Sequence, residues 1–75
     1  MDSNYSTSDL YLAAYLKYKG NKLNIEKNGK KMTFIFQKTD ELNSQILEYL
    51  NDEATFNPLS YTNSIKNLKN LIYNM

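Results

Sequence analysis

The side chains that usually carry chemistry at neutral pH are scarce in this chain. It has no histidine and no cysteine. Nucleophilic or acid–base catalysis would therefore have to rest on a carboxylate with a strongly shifted pKa. The carboxylates fall at expected helix starts or in a polar connection, where solvent keeps them ordinary. Ser6, Thr7 and Ser8 have no base nearby in sequence, and Ser6 with Asp9 has the spacing of a capping box rather than of a nucleophile and its activator. Glu48, Asp52 and Glu53 could gather oxygen ligands, but no loop of alternating oxygens around a central glycine follows, as a calcium site would need. Asn28-Gly29 has one glycine and no helix after it, so it is no phosphate loop. The expectation is a protein that is not an enzyme, with no catalytic residues, no metal site and no cofactor.

Binding chemistry is better represented. Asn63, Asn67, Asn70 and Asn74 recur at helical spacing, with Lys66 and Lys69 alongside. Asparagine can pair bidentately with adenine and lysine neutralises phosphate, so Asn63, Lys66, Asn67, Lys69 and Asn70 form a candidate nucleic-acid face. The solvated face of any amphipathic helix in a lysine- and asparagine-rich chain would look the same, and the chain lacks arginine, the commonest base reader. A second candidate surface holds Lys22, Lys27, Lys30, Lys31 and Lys38 around Ile35. It could meet a nucleic-acid backbone, or it could protect an exposed strand edge from pairing with another chain. Tyr11, Tyr15 and Tyr18 form a stripe at i, i+4 and i+7. Seven tyrosines in 75 residues exceed what a core requires, and tyrosine is enriched at interfaces; a stripe at helical spacing is also what a core helix shows.

The element that positions these groups is the hairpin from Lys22 to Phe36. Asn28-Gly29 tolerates the positive φ of a type I′ turn, and a two-residue loop there pairs Lys27 with Lys30, Ile25 with Met32 and Leu23 with Phe34. Side chains alternate along a strand, so Leu23, Ile25, Met32, Phe34 and Phe36 share one face. Lys22, Asn24, Glu26, Lys31, Thr33 and Ile35 share the other. A lone hairpin is marginal in water, so helices must cover its apolar face.

Three helices are available. Residues 1–5 read as a frayed polar lead-in; the run Ser6-Thr7-Ser8-Asp9 supplies an N-cap, with Ser6 and Asp9 at capping-box spacing, and the first helix runs to about Lys19, ending at Gly20. The second starts at a Thr39 cap, with Asp40 and Glu41 at the positive end of its dipole. It buries Leu42, Ile46, Tyr49 and Leu50 and stops near Asn51. The third has Asn57 as cap and Pro58 at N1, with Phe56 and Tyr61 spaced as a hydrophobic staple. It reaches about Tyr73, burying Tyr61, Ile65, Leu68 and Ile72 with Leu71 beside them. The expected fold class is α+β, ordered αββαα: a two-stranded antiparallel hairpin packed against three helices, with residues 6–75 as a single globular domain.

Composition sets the outer limits. Seventy-five residues lie near the size at which a core suffices without staples. The absence of cysteine mildly favours an intracellular protein. No apolar run approaches the roughly 18 residues of a membrane span, and the N-terminus lacks a signal-peptide core. The expectation is a cytoplasmic domain with no membrane partner. Net charge is only +1, but residues 17–38 hold seven lysines against one glutamate, whereas residues 39–53 hold five carboxylates and no lysine. Such a polarity can orient a domain on a charged partner, or it can be a solvated surface with some helix-dipole compensation.

The runs S-T-S-D-L-Y-L-A-A-Y-L and N-P-L-S-Y-T-N-S-I-K-N-L-K-N-L-I-Y resemble a small family known as domain of unknown function number 5659. That family pairs an opening helix of this type with a β-hairpin and a closing helix, and it occurs in Firmicutes and their phages. The resemblance covers nearly the whole chain and implies a mobile-element context without catalytic residues. Family members tend to be arginine-rich in the last helix, where this chain has only Lys66 and Lys69. Two functional expectations follow. One is a non-enzymatic phage or mobile-element protein that binds and inhibits or recruits a larger host or phage protein, plausibly one that handles nucleic acid. The other is a small DNA- or RNA-binding accessory using the lysine-rich hairpin and the last helix. A homodimer would serve either, because a marginal core leaves apolar area worth burying.

Overall fold

A computed structural model describes residues 3–74. Its element order is β1 (Asn4–Thr7), α1 (Leu10–Tyr18), β2 (Leu23–Asn28), β3 (Lys31–Gln37), α2 (Asp40–Leu50) and α3 (Pro58–Tyr73). The architecture is α+β, with three helices and a three-stranded antiparallel sheet in the order β1-β3-β2. The sheet therefore has one strand more than the expected hairpin.

The extra strand takes Asn4 and Tyr5 from the segment expected to fray, whose residues 1 and 2 lie outside the described ones, and Ser6 and Thr7 from the expected capping run. Asn4 and Tyr5 pair with Gln37 and Phe36, and Ser6 and Thr7 pair with Ile35 and Phe34. The ladder extends to a bond from the Lys38 N–H to the Ser3 carbonyl at 2.9 Å. Asn-Tyr-Ser-Thr alternates short polar residues with an aromatic and a β-branched one, so Tyr5 and Thr7 fall on the core face opposite Phe36 and Phe34. β3 thus becomes the central strand.

Strand formation by residues 4–7 also moves the helix start. Ser6 belongs to β1, so it cannot cap α1. Asp9 does so instead, with extended backbone and a carboxylate that accepts from the amides of Tyr11 and Leu12 at 3.0 and 3.2 Å. The negative charge suits the positive end of the helix dipole. At the other end Lys19 is the C-cap and Gly20 takes φ +102°. The Gly20 amide bonds to the Lys17 carbonyl and the Asn21 amide to that of Leu16, which is a complete Schellman motif.

The hairpin pairs Asn28 with Lys31, Ile25 with Phe34 and Leu23 with Phe36. The expected register had Lys27 opposite Lys30, so the turn sits one residue further along, on Gly29-Lys30. Gly29 has φ +65° while neither Asn28 nor Lys30 is in the positive region, the φ signature of a type II′ turn with glycine first rather than of type I′. The resulting slip is two residues in pairing, an even number. Every side chain therefore keeps its face, and Leu23, Ile25, Met32, Phe34 and Phe36 remain on the core side.

α1 lies at the centre. Leu12, Ala13, Ala14, Tyr15 and Leu16 are all buried, and the core continues through Phe34, Phe36, Leu42, Ile46 and Leu68. Full burial of a leucine, isoleucine or phenylalanine side chain in this set contributes about 1.5–3 kcal/mol. α1 is the shared neighbour of α2 and α3. Against α3, the small Ala14 allows close approach, and the Ser64 hydroxyl donates to the Ala14 carbonyl at 3.1 Å. Towards α2, the Asn21 amide group donates to the Leu16 carbonyl at 2.9 Å and to Gln45 Oε1 at 2.6 Å.

α2 is capped by the Thr39 hydroxyl, which accepts from the Leu42 amide at 3.0 Å. Its buried stripe is narrower than expected: Leu50 is 64% exposed, because Tyr49 is the residue turned toward α1. Asn51 ends the helix, and Asp52 follows with φ +58°. α3 begins as its sequence requires, with the Asn57 side chain accepting from the amides of Leu59 and Ser60, Pro58 at N1 and the staple rings of Phe56 and Tyr61 4.6 Å apart. Leu68 is its fully buried residue, while Leu71 is exposed. No helix among the described residues is long and apolar enough to cross a membrane.

Candidate functional site

The helices cover one face of the sheet and leave the other open. On the open face Ile35 stands between Ser6 of β1 and Asn24 of β2, which shield it to a half-buried state. At the end of the sheet away from the turn lies a polar depression of about 560 Å3. It is lined by Asn4, Asn24 and Gln37 from the three strands, by Ile35 and Phe36, and by Ser3, Lys22 and Lys38. The expected lysine cluster is thus divided. Lys22 and Lys38 share this depression, whereas Lys27, Lys30 and Lys31 lie at the hairpin tip, roughly 17 Å away along the strand. All five lysines are exposed.

The amide face of α3 is present as the spacing required. Asn63, Lys66, Asn67, Lys69 and Asn70 are all exposed. The tyrosine stripe of α1 is not a surface. Tyr11 is 51% exposed, Tyr18 is half-buried and Tyr15 is 0% exposed, because α1 is enclosed by α2, α3 and the sheet. Tyr15 is therefore a core residue and no part of a docking face.

Tyr15 instead forms the floor of an aromatic cluster. Its ring centroid lies 5.6 Å from that of Tyr49, 6.2 Å from Tyr61 and 6.4 Å from Phe56, the last two edge-on. These are separations at which aromatic pairs attract. Lys19 adds a cation, with Nζ 5.4 Å from the Tyr15 ring and 5.9 Å from the Tyr18 ring. Above this floor a depression of about 480 Å3 opens to solvent, lined by Tyr11, Tyr49, Asp52, Ala54, Phe56 and Tyr61. The Tyr61 hydroxyl donates to the Tyr11 carbonyl at 2.9 Å, fixing the first turns of α1 and α3 against each other along one wall.

Burial pushes the Tyr49 and Tyr61 hydroxyls above their ordinary pKa. The negative field of Asp9 acts on both in the same direction, as do neighbouring tyrosines. The aromatic depression is therefore apolar-walled, with the Asp52 carboxylate among its lining, while the sheet depression is polar and flanked by lysines. The aromatic site escaped sequence reasoning because its walls come from α1, α2, the 52–56 connection and α3. The staple spacing of Phe56 and Tyr61 and the surplus of tyrosine were its only signals.

Fold and surface together define a small α+β domain in which one helix is enclosed by two others over a three-stranded sheet, with an aromatic depression on the helical side. The chain belongs to the family Domain of unknown function (DUF5659), whose match spans residues 2–74. Comparison with curated proteins and with solved structures found no match.

Proposed function

We propose that this domain is a non-enzymatic binding module, of phage or mobile-element origin, that docks on a larger host or phage protein and inhibits or recruits it. The observation that carries this reading is the aromatic depression, where Tyr11 and Phe56 are 51% and 42% exposed beside Tyr49 and Tyr61. Rigid aromatic side chains held by secondary structure lose little entropy when covered, which is why they dominate the energetics of protein interfaces. A nucleic-acid-handling protein is the favoured class of partner, since the lysines of the sheet could then lie against nucleic acid held by the complex.

The test is affinity capture from the host with the immobilised domain, comparing wild type with Tyr11→Ser and with Lys22→Glu/Lys38→Glu. A partner lost with the first variant and kept with the second supports the reading. Absence of any specific protein partner would sink it.

A second reading, a DNA- or RNA-binding accessory, is favoured by one observation: Asn4, Asn24 and Gln37 stand together on the uncovered sheet face between Lys22 and Lys38. It predicts binding of labelled single- or double-stranded DNA that weakens steeply with added salt and is reduced by Lys22→Glu/Lys38→Glu. Fluorescence anisotropy at two salt concentrations that detects no binding removes this reading.

A further inference from the structure

We propose that the aromatic depression is a receptor for an alkylammonium group, the side chain of a lysine on the partner protein. This rests on reading the domain as a protein-binding module and names the chemistry that module takes. Tyrosine and phenylalanine rings present negative faces that attract a cation placed over them. Four such rings, those of Tyr11, Tyr49, Phe56 and Tyr61, line one depression of about 480 Å3. Among the described residues its only ionisable wall besides the phenols is the carboxylate of Asp52, and no lysine lines it.

Two further observations point the same way. Asp52 occupies the C′ position of α2 with φ +58°, a left-handed conformation in which glycine is the unstrained choice. The chain places a carboxylate there, on the rim of the depression. The second is the chain's own Lys19, whose ammonium lies over the Tyr15 and Tyr18 rings of the adjoining aromatic cluster. The same cluster thus already holds one ammonium by its π faces. An incoming lysine would lay its four-carbon stem along Ala54 and the rings and bring its charge toward Asp52.

The probe is Nα-acetyl-lysine N-methylamide, compared with the norleucine derivative, which has a methyl group in place of the aminomethyl. Both are titrated into the full chain and followed by NMR at Tyr11, Tyr49, Asp52 and Tyr61. The expected result is saturable shifts at these residues, with the norleucine compound about threefold to thirtyfold weaker, the range a cation–π contact supplies. Asp52→Asn, which keeps a residue tolerant of positive φ, should weaken the lysine probe and leave the norleucine probe unchanged. Equal binding of the two probes, or no shifts with either, overturns the assignment. This outcome is separable from failure of the module reading, because the probes need no partner. A partner captured through Tyr11 together with equal probe binding would leave the module and remove only the lysine.

Discussion

The backbone N–H of Asn57 donates to the Tyr18 hydroxyl at 3.0 Å, joining the last turn of α1 to the cap of α3 across 39 positions of sequence. Asn57 is thereby held from two sides, since its own side chain accepts the Leu59 and Ser60 amides. Tyr18→Phe removes the acceptor and leaves the ring in place. The bond is solvent-exposed, so the expected loss is about 0.5–1 kcal/mol, the lower part of the range for a neutral hydrogen bond. Asn57→Ala keeps the backbone bond to Tyr18 but removes the side-chain cap, and should cost about 1–2 kcal/mol. Urea unfolding with an unchanged m-value checks both.

The two helix ends that use the left-handed region predict opposite responses. Gly20 has φ +102° and open space where a Cβ would go, so Gly20→Ala meets no clash and its cost is that of the backbone alone, about 1–2 kcal/mol. Asp52 adopts φ +58° without being glycine. Asp52→Gly relieves that strain and should stabilise the domain by a few tenths to about 1 kcal/mol. A melting temperature that falls for Asp52→Gly would show that its carboxylate is needed by the fold itself and is not held there for binding.

The Tyr15 hydroxyl is fully buried and has no hydrogen-bond partner among the described residues. An unpaired buried hydroxyl carries a desolvation penalty of about 1–3 kcal/mol, whereas the ring makes the aromatic contacts. Tyr15→Phe keeps the ring and drops the penalty. The expected outcome is a gain in unfolding free energy of about 1 kcal/mol, read by denaturant titration; a loss of similar size would mean that the hydroxyl is paired in solution.

Local signals in the sequence specified the helices well. Asn57-Pro58 and the Phe56–Tyr61 staple place α3 to the residue, Thr39 caps α2, and Gly20 closes α1 as its backbone freedom demands. The faces of β2 and β3 were legible for a more robust reason: an even register slip preserves them, so an error in the turn leaves the core set intact. β1 was not legible, because Asn-Tyr-Ser-Thr has too little apolar content to announce a strand. Its stability comes from pairing with β3, a contact some thirty residues away. The same non-local pairing takes Ser6 and Thr7 out of the expected capping run and leaves the cap to Asp9. Tyr15 illustrates the limit for the site. Periodicity grouped it with Tyr11 and Tyr18, but which tyrosine is enclosed depends on where α2 and α3 dock, and the aromatic depression exists only once they have done so.

The aromatic site should also make the domain sensitive to alkali. Tyr49 and Tyr61 have folded-state pKa values raised above the ordinary value of 10.0, by burial first and then by neighbouring groups, including Asp9 in both cases. The raised value means that the folded state holds its phenolic protons more firmly than the unfolded chain does. The associated stability is therefore complete below about pH 10 and is lost as the pH rises through the folded-state values. Ionising Tyr61 would also remove the donor of its bond to the Tyr11 carbonyl. The expectation is an unfolding free energy that is insensitive to these two groups near neutrality and falls above about pH 10. Denaturant titrations across that range should show a shallower fall for Tyr49→Phe/Tyr61→Phe, which cannot ionise at either position, than for the wild type. Parallel declines in the two proteins would mean that neither phenol is held by its surroundings.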